Sequence, residues 1–156
     1  MKHKVAYLIG STSDQKFAEA SIEYFNFFDI ESSIMVMSAH RNPEVVKSFA
    51  STAKKNGYGV LVCGAGMAAH LAGAVKSVST LPVIGVPFPG GMMDGMDSLL
   101  STVQMPKGVP VATMSIGKAG SINAAILCAE IFAINDHIIS GKLDIFKKNG
   151  STLIGL

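Results

Sequence analysis

Two histidines, one arginine and a short run of hydroxyls ending in a carboxylate are the groups in this chain suited to holding an anion and moving a proton. His40 and Arg41 are adjacent in Ser38-Ala39-His40-Arg41-Asn42-Pro43. The apolar run Ile34-Met35-Val36-Met37 before them predicts a buried strand. Pro43-Glu44-Val45-Val46 after them predicts a helix, with proline at the first helical position and an acid in the first turn. Arg41 is a permanent, fork-shaped anion donor, and His40 can take and return a proton near neutral pH. The bland reading is a surface turn with a solvated Arg and a capping His.

His70 lies in Gly64-Ala65-Gly66-Met67-Ala68-Ala69-His70-Leu71-Ala72-Gly73, just past the apolar Gly59-Val60-Leu61-Val62-Cys63. Residues with almost no side chain let a ligand or another backbone come close, and His70 is the only one there able to do proton chemistry. Tight helix packing around a satisfied, partly buried His70 explains the same pattern. Gly10-Ser11-Thr12-Ser13-Asp14 follows a third apolar run, Val5-Ala6-Tyr7-Leu8-Ile9. Its hydroxyls, backbone N–H groups and carboxylate suit a phosphate and a neighbouring sugar hydroxyl. It matches neither the P-loop nor the dinucleotide fingerprint, and taken alone Ser13 and Asp14 read as plain helix caps.

These turns must be positioned by the elements around them. The pattern predicts strands near residues 5–9, 34–37, 59–63, 81–87 and 109–116, each followed by a helix: Phe17, Ala20, Ser21, Tyr24 and Phe28 at helical spacing, then residues 43–56, a small-residue helix after His70, a short helix over 97–104 capped by Asp97, and an Ala- and Ile-rich helix over 121–134. A last, more polar helix is expected near 136–148, with a short tail from Gly150. The segment 88–96, rich in Gly, Pro and Met, is a long loop of the kind that serves function or an interface. Strand–helix alternation predicts one α/β domain, residues 1–156 with its core over about 5–134, as a three-layer, doubly wound parallel sheet. The expected strand order is 2-1-3-4-5, with ligand at the switch between the first and third strands.

Of 156 residues 49% are apolar and 15% charged, with net charge +2 and mean hydropathy +0.41. No uninterrupted apolar span reaches the roughly 20 residues a membrane helix needs. The excess apolar surface therefore predicts a homo-oligomer rather than a membrane protein. The apolar run after Met1-Lys2-His3-Lys4 is too short for a signal peptide. Cys63 and Cys128 sit in apolar surroundings without metal-ligand spacing, as expected of reduced thiols in a cytoplasmic protein. No basic run points to nucleic acid. His3 and His137 read as surface groups without a role.

Gly10-Ser11-x-Ser13-Asp14, Ser38-Ala39-His40-Arg41-x-Pro43, Gly64-Ala65-Gly66-x-Ala68-Ala69-His70-Leu71, Asp97-Ser98-Leu99 and Gln104-Met105-Pro106 together resemble the class I N5-carboxyaminoimidazole ribonucleotide mutases of purine biosynthesis. The similarity runs from about residue 5 to 134. The related class II enzymes carboxylate aminoimidazole ribonucleotide directly with CO2; they tend to carry Lys after Ser-Ala-His and to lack the His70 segment. The resemblance implies a flavodoxin-like fold, a homo-octamer with sites where subunits meet, and transfer of a carboxylate from the exocyclic nitrogen to C4 without ATP, metal or organic cofactor. It makes His40 the general acid and base, and has His70 orient the carboxylate or CO2. Ser11, Ser13, Asp14, Ser38, Arg41 and the Gly66 backbone would bind substrate, Arg41 at the phosphate and Asp14 at the ribose.

Met67 stands where a further glycine is common in that family and Ala72 where proline is, so a narrower or more mobile pocket wall is expected. The 88–96 loop also departs from the usual family sequence. The competing expectations are a class II-type carboxylase using free CO2 and a non-catalytic module that binds a phosphorylated metabolite.

Overall fold

The computed structural model describes residues 3–153. Five parallel strands lie in the order β2-β1-β3-β4-β5: β1 (Lys4–Ile9), β2 (Glu31–Val36), β3 (Val60–Ala65), β4 (Val83–Pro87) and β5 (Ala112–Thr113). Among the described residues seven α-helices, α1 (Gln15–Ala18), α2 (Ile22–Phe27), α3 (Pro43–Thr52), α4 (Leu71–Lys76), α5 (Met96–Val103), α6 (Lys118–Ala133) and α7 (His137–Lys148), connect or cover them. The expected doubly wound order is therefore present. The structureless tail expected from Gly150 is described as far as Leu153; its last three residues lie outside the described residues.

β1 is the centre. It pairs with β2 on one edge and β3 on the other, Tyr7 facing both Ile34 and Val62 in register. Val5 to Ile9 are fully buried because side chains alternate between two covered faces. Val5, Tyr7 and Ile9 pack under α2, α6 and α7, while Ala6 and Leu8 pack under α3 and α4. α6 approaches closely because it is built from small residues: a Cβ on its Gly120 would collide with the Ser115 carbonyl oxygen. Tyr7 hydroxyl and Ser121 Oγ share a buried hydrogen bond of 2.7 Å that ties β1 to α6. Burial pushes the Tyr7 phenol well above its ordinary pKa.

Four expectations are corrected. Ile34 to Val36 belong to an edge strand, half-buried with Val36 exposed, since no described strand pairs beyond β2, whereas Met37 just past it is buried. The helix after β1 is broken into α and 3-10 turns; the buried Ser21 hydroxyl donates to the Ala18 carbonyl at 2.6 Å, a local bond that competes with the α pattern. β5 keeps only two ladder residues, Pro110 having no N–H to offer. Asp97 does not cap α5: Gly95, in the left-handed region at φ 109°, precedes the helix, and Asp97 accepts from the Met92 and Ser98 N–H groups.

His3 is also more than a surface group. Its ring stacks on Phe132 at 4.4 Å and its Nε2 lies 2.9 Å from Asp136, the residue that caps α7 by accepting from the Ile138 and Ile139 N–H groups. The His3 bond holds the Asp136 carboxyl below the usual range. No helix among the described residues is long and apolar enough to cross a membrane.

Tyr7→Phe leaves the buried Ser121 hydroxyl without its partner. Urea denaturation is expected to show a loss of about 1–2 kcal/mol with an unchanged m-value.

Candidate functional site

The turns after β1, β2 and β3 leave the sheet at its carboxyl edge and meet at one cleft of about 810 Å³, joined by the loop after β4. Strands ordered outward from β1 in both directions leave a crevice there, because successive connections cross to opposite faces. All eight expected site residues line it: Ser11, Ser13, Asp14, Ser38, His40, Arg41, Gly66 and His70. Its size suits a ligand as large as a nucleotide.

Each turn is shaped by its own hydrogen bonds. Ser11, not Ser13 or Asp14, is the cap after β1, its Oγ accepting from the Ser13 N–H at 3.3 Å and the Ser13 hydroxyl at 2.9 Å. Asp14 makes no side-chain cap bond to the helix it precedes, which leaves its carboxylate on the cleft. Burial raises the Asp14 carboxyl above its ordinary pKa, opposed by hydrogen bonds from Ser11 and Ser13 and by the charge of Lys16. After β2, the Asn42 side chain accepts from the Ser38 N–H at 2.7 Å and the Ser38 hydroxyl accepts from the Arg41 N–H at 3.3 Å. This closed turn presents His40 and Arg41 outward, and the Arg41 guanidinium has no acceptor among the described residues. A permanent cation without a partner is a ready seat for an anion.

His70 immediately precedes α4, and its Nδ1 lies 2.6 Å from His40 Nε2, the rings meeting edge-on at 71°. Both histidines are exposed to the cleft, so tight helix packing is not what His70 serves. An N–H···N bond requires one proton and one lone pair. While it lasts, the pair carries no more than one positive charge, and His40 Nδ1 and His70 Nε2 have no partners among the described residues.

The small residues around His70 have separate reasons. A Cβ on Gly64 would collide with the Phe88 ring, which fills the space beneath the cleft. Met67 has φ 54°, a left-handed conformation that favours glycine, and its side chain stays 66% exposed at the cleft wall. Ala72 is buried in the first turn of α4, where its Cβ faces the backbone of Gly85. Lys16, Phe17, Pro89, Gly90 and Asp94 also line the cleft and were not expected there. Phe17 carries only a core signal in the sequence. For Asp94 the only signal is the length of the loop that holds it.

A carboxyl whose pKa is raised by folding binds its proton more tightly in the native state than in the unfolded chain, so its ionisation costs stability as pH rises through the carboxylate range. Asp14→Asn removes that cost. Thermal denaturation at pH 7 is expected to find the variant at least as stable as wild type, with the difference shrinking as pH falls below the ordinary Asp range.

The family described as AIR carboxylase matches residues 4–152. The N5-carboxyaminoimidazole ribonucleotide mutase of Escherichia coli (strain K12) is 43% identical over 145 residues, 93% of this chain and 86% of that protein. The mutase of the same name from Bacillus subtilis (strain 168) is 45% identical, covering 96% of this chain and 92% of its own. That of Saccharolobus solfataricus is 45% identical over 94% and 91%. Among solved structures, PurE of Treponema denticola superposes with a TM-score of 0.87 at 28% identity, covering 96% of this chain and 92% of that one. The matched span takes in all three turns of the cleft, and the chain belongs to the AIR carboxylase family.

Proposed function

We propose that this chain is an N5-carboxyaminoimidazole ribonucleotide mutase, an isomerase of de novo purine biosynthesis that moves CO2 from the exocyclic nitrogen of its substrate to C4 of the imidazole. The observation that carries the reading is the meeting of His40, His70 and an unpartnered Arg41 in one cleft, in a chain over 40% identical to mutases along nearly its whole length. No ATP, metal or organic cofactor takes part.

The substrate phosphate pairs with the Arg41 guanidinium and the hydroxyl-rich turn of Ser11 and Ser13, while Asp14 accepts from the ribose hydroxyls. Ser38 and the Gly66 backbone complete the cradle. His40 gives a proton to the exocyclic nitrogen as the N–CO2 bond breaks, leaving CO2 and aminoimidazole ribonucleotide in the cleft. C4 then attacks CO2 with its enamine electrons, and His40 takes the C4 proton to restore the aromatic ring. The proton lent in the first half returns in the second, so no co-reactant is consumed. A group that both gives and takes one proton suits the task, and the His70 bond steadies the ring that does it. His70 Nε2, free of protein partners, orients the migrating carboxylate.

CO2 that escapes is a lost turnover, so such a cleft must be closed off from bulk water. In our reading the cover is other subunits of a cytoplasmic homo-octamer. What supports it is the exposed apolar surface near the cleft, Met67, Met92 at 73% and Met93 at 77%, and a second group where α6 gives way to α7, Ile134 at 79% and Ile138 at 60%. The free, buried thiols of Cys63 and Cys128, pushed upward in pKa by burial, suit a reducing compartment.

The deciding assay follows conversion of N5-carboxyaminoimidazole ribonucleotide to its C4 isomer without ATP or bicarbonate. Wild type is expected to turn over, and His40→Asn to lose about 100-fold or more in kcat while still binding substrate. Product formed only from aminoimidazole ribonucleotide plus bicarbonate would instead make it a carboxylase, and binding without turnover in either case a non-catalytic module. Light scattering is expected to return the mass of eight chains; a monomer would remove the proposed cover.

A further inference from the structure

The Asp97-Ser98-Leu99 motif contributes no group to the cleft, yet the helix it opens touches the backbone of both loops on that wall. Ser98 Oγ donates to the Phe88 carbonyl at 2.8 Å, and the Asp97 carboxylate accepts from the Met92 N–H at 2.9 Å. One turn further on, Ser101 Oγ accepts from the Ala69 N–H at 2.9 Å and also lies 3.2 Å from the Met67 carbonyl oxygen. Ala69 is buried, and it is the residue immediately before His70.

We infer that Ser101 is a positioning residue for the histidine pair: it anchors the Ala69 N–H and thereby sets where His70 meets His40. The Ser101 hydroxyl has a single proton, and its nearest acceptor is the Asp97 carbonyl at 2.7 Å within α5. Giving the proton there fixes the hydroxyl's rotation and leaves a lone pair aimed at the Ala69 N–H. The segment it holds has reason to need holding. Met67 is in the left-handed region, and the His70 N–H turns back to the Ala68 carbonyl at 2.9 Å. An N···N separation of 2.6 Å leaves little room for drift, since a side-chain bond is lost by about 3.6 Å.

The test compares wild type, Ser101→Ala and Ser101→Thr; its kinetic arm rests on the mutase reading, its spectroscopic arm does not. Ser101→Ala is expected to lower kcat by about 10- to 100-fold with KM within about threefold, because the groups remain present but misplaced. It should also change the pH profile of kcat. Ser101→Thr, which keeps the oxygen, restores both. In 15N spectra of the four histidine rings, the alanine variant is expected to shift His40 and His70 while leaving His3 and His137 in place. Unchanged His40 and His70 signals, or a kcat within about twofold of wild type, would overturn the inference. So would a loss that threonine fails to rescue. Wild type without mutase activity would defeat the functional reading alone, and the ring signals would still decide the clamp. If Ser101→Ala does not fold, amide exchange on wild type decides: a protected Ala69 N–H supports the clamp, and exchange at the unprotected rate refutes it.

Discussion

β1 is paired on both edges and covered on both faces, and that double confinement sets everything else. A strand with fully buried residues from Val5 to Ile9 has no freedom to slide, since a slip by one residue would exchange the two cores it separates. Its neighbours inherit the register, Ile9 against Val36 on one side and Gly64 on the other. The three strands therefore end at the same level, and the turns that leave them begin within reach of each other. The cleft is a consequence of parallel pairing around one immobile strand.

On that frame the chemistry depends on short backbone closures rather than on long side-chain networks. The 38–42 turn is tied by Asn42 and Ser38, the 11–14 turn by Ser11 and Ser13, and the 67–70 segment by Ser101 on α5. Each closure fixes the backbone of its turn and leaves His40 Nδ1, His70 Nε2 and the Arg41 guanidinium without partners among the described residues. The site combines fixed backbone with free functional groups, the arrangement that preorganisation requires.

Much of this was readable from the chain. Apolar runs ending in small or polar turns gave the strands and their order, and His40, Arg41 and His70 stood out because little else near those turns can do acid–base work. What stayed hidden depended on distance through space. An apolar run looks the same at an edge as at the centre, so Ile34 to Val36 read as buried although β2 has no outer neighbour among the described residues, while Met37, just past the strand, is buried as expected. The contact between His40 and His70 joins residues thirty apart, and the Ser101 bond to Ala69 joins residues thirty-two apart; no spacing rule reaches that far. Met67 is the reverse case: glycine is common there in the family that the sequence resembles, and the positive φ at this position gives the reason.

The bond between His40 and His70 also bears on molecular discrimination. A ligand that engages one imidazole by pulling it from the other gives up an existing bond, and its net gain is reduced by that loss. A ribose phosphate with nothing at the base end can dock on Arg41 and leave the pair intact, but it draws nothing from it. A ribonucleotide carrying a carboxylate on its exocyclic nitrogen offers a partner to the outer nitrogens, His40 Nδ1 and His70 Nε2, without breaking the pair. On the proposed function, the closed pair thus favours molecules that use its two outer nitrogens over molecules that must break it.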